Sequence, residues 1–475
     1  MLVVPASAAV FSSPEAAHGL VVPGEGATVS RRSALASLLR GELGNALVGG
    51  GLPGGKPRIS LARRTAQVTF YVALPPPGKH HNVVRYPIAV VGPGYHGLLT
   101  SSATHLGGLI SIADVAPSVL ALEAGKRPRI RSHVSADPLA YLHRLDERLT
   151  RAHDSRTGGT LVLVGLMTVL GLLALVSRRA ALGRAAFLAA PACLVVAVVL
   201  SATGVTRPWQ VIVLLSLASA VLALLGGGVL RPRVALAAGL AAVFAFLYAV
   251  MWAKPEWNSF AALGPRPDGG GRFYGVNNQV STLLLSPALV LGALAGPALP
   301  AVALLVVAGM VASFIGAQAD GLVVYLAGFL VLAWRTARRR PGTARAVAAV
   351  AVAAGAALAL VAIDAAFGGS SHITHAVGGG PGTLAGDLAH RIHLSAAFVV
   401  SGWNETLLFF LSVAALVWLA LRQPRLAVLD ALLAALAVSL IVNDTPTDIA
   451  GLGVLSALVL RIWLVRSDER ADPLD

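Results

Sequence analysis

Of 475 residues, 56% are hydrophobic and only 12% are charged. A water-soluble globular chain carries about 25% charged residues, so most of this surface faces something other than water. The formal net charge of +15 does not mark a nucleic-acid binder, because the basic residues sit in short clusters between apolar runs instead of gathering on one polar face. The chain is therefore expected to meet a lipid bilayer and not nucleic acid.

The composition divides near Arg156. Before it, Pro, Gly, His and charge are distributed as in a soluble domain. Alternating apolar stretches at 67–72 and 86–91 predict strands. Asp114 precedes an apolar run with Pro117 in its first turn, which predicts an N-capped helix over 115–124. The chemistry-bearing side chains of this domain are His80, His81, His96, His105 and Asp114. No Asp-x-x-x-His or Asp-His pair accompanies them, so a two-metal phosphoryl-transfer centre cannot be assembled. The domain is expected to be catalytically silent, with no metal.

After Arg156, apolar runs alternate with short polar breaks. Spans are predicted at 159–177, 185–203, 209–230, 234–253, 280–299, 300–315, 321–334, 346–367, 406–421, 426–442 and 449–465, about eleven in all. The runs at 300–315 and 321–334 are short enough for a tight hairpin or a re-entrant pair. Arg178, Arg179 and Arg184, then Arg231 and Arg233, then the cluster from Arg335 to Arg345, then Arg422 and Arg425, then Arg466 and Arg470 fall in alternate breaks. Positive residues stay cytoplasmic. This places residues 1–156, the loops 254–279 and 368–405, and the Asn443–Asp448 turn outside, with the tail 467–475 inside. The single cysteine, Cys193, lies in an apolar run and excludes an intramolecular disulfide.

Polar residues recur at the outer ends of these spans. Arg272, Asn277 and Asn278 follow a run of three glycines, an arrangement suited to phosphate or sugar, since arginine offers a planar fork and a helix start offers free N–H groups. Asp320 precedes a span, where a carboxylate at membrane depth is costly and usually functional. His372 and Arg391 lie in the second long loop, and Asn443 and Asp444 end a span. Asp448 reads as a cap for the last helix.

Two stretches carry a family resemblance. Tyr95-His96-Gly97-Leu98-Leu99-Thr100-Ser101-Ser102-Ala103-Thr104 and Gly107-Gly108-Leu109-Ile110-Ser111-Ile112-Ala113-Asp114-Val115-Ala116-Pro117-Ser118 resemble the closing segment of alkaline-phosphatase-superfamily domains. More narrowly, they resemble a bacterial family that joins such a domain to a multi-span membrane half. Asp137-Pro138-Leu139 with Leu145-Asp146 resembles that family's connecting amphipathic helix. Arg272-Phe273-Tyr274-Gly275, the Gly316–Gly321 stretch, Ser370-Ser371-His372-Ile373 and Asn443-Asp444 are similar to its loop motifs. Asn278 stands where the family often has Glu, and Thr445-Pro446 replace its Ser-Gly.

The resemblance implies a fold class: an all-α polytopic membrane bundle (157–466) carrying an α/β alkaline-phosphatase-like extracytoplasmic N-terminal domain (1–156). An exported domain needs a signal peptide or a preceding span, and the apolar run at 2–11 has no basic region before it. Either the first span acts as a reverse anchor or the chain starts upstream; the resemblance, which begins part-way through a domain, favours the second.

The expected function is an envelope enzyme acting at the outer leaflet on a lipid-linked or polymeric substrate. Asp320 or Asp444 would be the base. Arg272, Asn277, Asn278, His372, Arg391 and Asn443 would contact the substrate. A transporter or flippase of an envelope precursor, or a non-catalytic scaffold, are the alternatives. Charges at one membrane face and the lack of a clear repeat tilt the reading toward catalysis. No Walker, CxxC, HExxH or GxSxG motif is present, so no cofactor is expected.

Overall fold

A computed structural model describes residues 2–3, 8–22, 67–73, 84–268, 272–337, 402–443 and 445–468, with isolated residues between 342 and 400. The chain forms two compact units. One is Met1–Asp154 together with Pro265–Tyr274; the other is Ser155–Gly264 with Gly275–Asp475.

The first unit is built on a mixed seven-stranded sheet. Its strands are β1 (Leu2–Val3), β2 (Ala17–Val22), β3 (Thr69–Val72), β4 (Tyr86–Val91), β5 (Gly97–Ser101), β6 (Leu109–Ser111) and β7 (Ile130–His133). They lie in the order β1-β3-β4-β2-β5-β7, with β6 also paired to β2. The strands expected at 67–72 and 86–91 are β3 and β4, paired antiparallel with Phe70 opposite Val90. Val21, Phe70, Ile88, Leu99 and Ile110 are buried, and helix α1 (Val115–Glu123) adds Val115, Ala116 and Val119 to the same core. Tyr95 is buried there too; its hydroxyl donates to the Ile130 carbonyl, and burial pushes its pKa up to about 12.

Asp114 sits at the N-cap position of α1 but makes no side-chain cap bond, contrary to the capping role read from sequence. Its buried carboxylate instead accepts from the Ser101 hydroxyl and pairs with Arg129 at 3.4 Å. A carboxylate that is 1% exposed gains more from a donor and a cation across the sheet than from one N–H of its own helix.

The next helix, α2 (Pro138–Ser177), is a single 40-residue element. The connecting helix and first span expected from sequence are therefore continuous. Near its start the buried Arg85 side chain donates to the Asp146 carboxylate at 2.7 Å and to the Thr150 hydroxyl at 2.7 Å, fastening the chain before β4 to α2.

The second unit is helical. It contains α3 (Ala180–Ala202), α4 (Pro208–Val229), α5 (Arg233–Ala253), the short α6 (Pro255–Ser259), α7 (Asn278–Ala295) and α8 (Leu299–Val311). It continues with α9 (Ala319–Thr336), α10 (Trp403–Leu421), α11 (Ala427–Val442) and α12 (Pro446–Asp468). Among the described residues, seven helical stretches are long and apolar enough to cross a membrane, and Ala427–Val442 is a shorter apolar helix. Leu217 and Leu225 on α4, and Phe410 and Leu411 on α10, remain exposed. Helices that are apolar outside as well as inside belong in lipid; the chain has the make-up of a polytopic membrane protein.

The spans expected at 280–299 and 300–315 are α7 and α8, joined through a 3-10 turn at Gly296–Ala298, and the Val276–Gly316 hydrogen bond brings their other ends together as a hairpin. The span expected at 346–367 falls mostly outside the described residues. Arg184, read as a loop residue, lies on α3, where its guanidinium donates to the Gly227 carbonyl at 3.0 Å. That bond is possible because Gly227 packs against the backbone at Ala181 and Ala185 with no room for a Cβ, the close approach that small residues permit between membrane helices.

Candidate functional site

Helices α7, α9 and α11 pack against one another, and α12 packs on α7 and α11. The two ends of this group differ in chemistry. At one end Arg335, in the last turn of α9, pairs with Asp430 of α11 at 3.0 Å; Arg425 pairs with the same carboxylate at 3.6 Å. Arg461 of α12 donates to the carbonyls of Gln423 and Pro424. The opposite end, thirteen residues along α11 and so about 20 Å away, is lined by amides and hydroxyls.

That amide end is framed by three glycine-dependent loop contacts. Gly275 has φ +79°, and its neighbour Val276 donates its N–H to the Gly316 carbonyl at 2.7 Å. The Gly275 carbonyl accepts from the buried Asn258 side chain at 2.7 Å. Asn277 then caps α7: its Oδ1 accepts from the Val280 N–H at 2.7 Å, and its Nδ2 donates to the Gly264 carbonyl at 2.8 Å. Asn277 thus fixes where α7 begins.

The next side chains reach between helices. Asn278 accepts from Gln318 Nε2 at 2.8 Å and donates to the Thr445 hydroxyl at 3.0 Å. Gln279 donates to the Asp448 carboxylate at 3.2 Å, so Asp448 serves as a partner for α7. Two residues before Thr445, Asn443 donates to the carbonyl and hydroxyl of Ser439 at 3.1 and 2.8 Å.

Three polar atoms in this region have no hydrogen-bond partner among the described residues: Gln318 Oε1, Asn443 Oδ1 and Thr447 Oγ1. Their residues are 1%, 4% and 4% exposed. A buried polar group left unmatched costs about 1–3 kcal/mol, and three of them fall around the starts of α9 and α12, which makes this end the candidate site. Elsewhere in the unit, Tyr325 donates to the Ser281 carbonyl at 2.7 Å and Tyr248 to that of Val306 at 2.8 Å, while Ser219 Oγ, Ser456 Oγ and Arg184 Nε are unmatched as well.

Of the residues singled out from sequence, Asn278 shares a hydrogen-bonded network with Thr445 and Gln318, and Asn443 lies two residues from Thr445. Asn277 braces the network from α7. Asp320 lies in the first turn of α9, two residues after Gln318, which occupies the N-cap position. Arg272 belongs to the segment that clusters with the sheet unit. There Tyr274, two residues on, packs against His105 with ring centroids 4.2 Å apart and the ring planes tilted by 44°. Asp444, His372 and Arg391 lie outside the described residues. Gln279, Gln318, Thr445 and Thr447 were given no role from sequence: uncharged residues at and beside helix starts carry no periodic or charge signal.

In the sheet unit, His153 bonds the fully buried Asp268 at 2.7 Å, which ties the 265–274 segment to α2. Among the described residues no group of three or more His, Cys, Asp or Glu side chains is placed to hold a metal. No protein-family model, curated protein or solved structure matches the chain.

Proposed function

We propose that the chain is a bacterial plasma-membrane protein that acts at the outer leaflet on a lipid-linked or polymeric envelope substrate. In this reading it has about eleven spans, an extracytoplasmic alkaline-phosphatase-like domain without catalysis of its own, and a cytoplasmic C-terminus. The observation that supports it is the polarity of the helical unit. Arg335, Arg425 and Arg461 gather at one end, which the positive-inside rule assigns to the cytoplasm. The unmatched amide oxygens of Gln318 and Asn443 lie at the other, which then opens outward, where envelope substrates are processed.

Within this reading Asn278 and Asn443 contact the substrate, Asn277 positions α7, and Asp320 or Asp444 is the base. Arg272, His372 and Arg391 keep the role of polar contacts to substrate or lipid headgroup. Replacing a general base by its amide keeps shape and removes proton acceptance, which lowers rate by about 10²–10⁴-fold. Asparagine also caps helices about as well as aspartate, so a residue that only caps tolerates the change.

Asp320→Asn and Asp444→Asn are therefore to be tested by complementation of a deletion strain, with protein levels matched by immunoblot. Loss of function in one of them is expected. Full function in both overturns the catalytic reading.

A further inference from the structure

We infer that the paired guanidiniums of Arg184 and Arg231 hold the phosphate of an anionic phospholipid at the junction of α3 and α4. The site lies outside the amide network and is independent of the substrate reading.

The geometry begins at the end of α4, where the last carbonyls of a helix lack intrahelical donors. Two arginines reach consecutive ones. Arg184 Nη1 donates to the Gly227 carbonyl at 3.0 Å, and Arg231 Nε donates to the Gly228 carbonyl at 2.9 Å. Arg184 arrives from the first turns of α3 and Arg231 from the turn after α4. Two like charges therefore meet from different elements, and they act on each other.

The charges around them do not balance. The negative end of the α4 dipole offsets about half a unit, against two full positive charges. Among the described residues no carboxylate pairs with Arg184 or Arg231. Arg85 and Arg129, by contrast, each have an aspartate, and Arg335 and Arg425 share Asp430. The segments 177–184 and 226–234 hold five arginines and no acidic residue.

Arg184 is 8% exposed and lies about 6 Å along α3 from Ala180. A buried cation without a counter-ion is strongly destabilising. Its Nη2 has no partner among the described residues and, unlike Nε, is not enclosed by protein. Arg231 is exposed beside it. A phosphate at this rim answers both, since its oxygens accept from guanidinium N–H groups.

The neighbouring side chains select the source of the phosphate. Leu222, Leu225 and Val229 recur at helical spacing along α4 and stay exposed, as do Val176 and Val234 next to the basic turns. Apolar surface around a basic rim suits a phosphate that carries acyl chains, the setting in which membrane proteins take up anionic headgroups. A choline headgroup would bring a further cation to the five arginines.

Native mass spectrometry of the purified full chain, released from detergent micelles, counts bound lipids one at a time. The probes are dioleoylphosphatidylglycerol, dioleoylphosphatidylcholine and inorganic phosphate. The first phosphatidylglycerol is expected to bind about tenfold more tightly than the first phosphatidylcholine. Arg184→Gln is expected to cut that preference by about fivefold or more. Arg231→Gln, at an exposed position, is expected to do the same and keeps the test open should Arg184→Gln fail to fold. Arg422→Gln, an exposed arginine of another turn, is expected to change the preference by less than about twofold. Each protein is scored by its own ratio of two lipids, so a general loss of stability cancels.

Equal affinity for both lipids in the wild type overturns the proposal. So does a preference that survives both Arg184→Gln and Arg231→Gln, or one that falls as far in Arg422→Gln. Inorganic phosphate bound in place of lipid, and lost in Arg184→Gln, overturns the phospholipid as its source.

Discussion

Gly275→Ala is expected to destabilise the helical unit by about 2–4 kcal/mol and to abolish function with it. Two effects add at this position. The backbone at φ +79° is left-handed, which costs a residue with a Cβ about 1–2 kcal/mol. The new methyl would also collide with the Gly316 carbonyl, the group that accepts from Val276. Because both colliding atoms belong to backbone, no rotamer change relieves them. Moving the two loops apart would break the frame that sets Asn277, Asn278 and Gln318 in register.

Gly204→Ala separates the two effects. Gly204 has the same φ of +79°, yet a Cβ there meets nothing within 4 Å. It should lose only the conformational part, about 1–2 kcal/mol. Thermal unfolding of the purified full chain compares the two, and a Gly275→Ala midpoint no lower than that of Gly204→Ala would contradict the close approach of the loops.

The second large effect is expected at Asn278. Asn278→Leu strands the Gln318 amide, which donates to it, and the Thr445 hydroxyl, which accepts from it. An unmatched buried group such as the Gln318 amide costs about 1–3 kcal/mol, and the half-buried Thr445 hydroxyl less, so a loss of about 2–4 kcal/mol is expected. Asn278→Asp behaves differently. One carboxylate oxygen still accepts from Gln318, and the Thr445 hydroxyl can reverse and donate to the other. The aspartate variant should unfold near the wild-type temperature. Equal damage from both substitutions, read by the same thermal assay, would mean that bulk or charge, and not hydrogen bonding, decides this position.

The contrast between what could be read in advance and what could not follows from the kind of signal each feature leaves. Strands such as β3 and β4 alternate apolar and polar residues, and the membrane helices are long apolar runs; both are periodic and local. The polarity of the helical unit was legible as well, because Arg335 and Arg425 mark breaks that a positive-inside count detects.

Asp114 was misread because its cap position is a local pattern, whereas its partners, Ser101 and Arg129, come from β5 and the chain just before β7 and meet it only in the folded sheet. Arg184 was placed in a loop because sequence alone cannot show that Gly227 admits its guanidinium between two helices. The amide network was only partly legible. Asn278 and Asn443 stood out beside glycines and at a span end, but Gln318 and Thr447 matter through an unmatched atom. Only packing creates such an atom.

Orientation carries the whole functional account, since an amide end that faced the cytoplasm could not serve an outer-leaflet substrate. Single cysteines at Gly269, Gly379, Ala337 and Ser467, introduced in a Cys193→Ser background, test it with a membrane-impermeant thiol reagent on intact cells. Labelling is expected at Gly269 and Gly379, and protection is expected at Ala337 and Ser467. Labelling of Ala337 from outside, with Gly269 protected, would contradict the account.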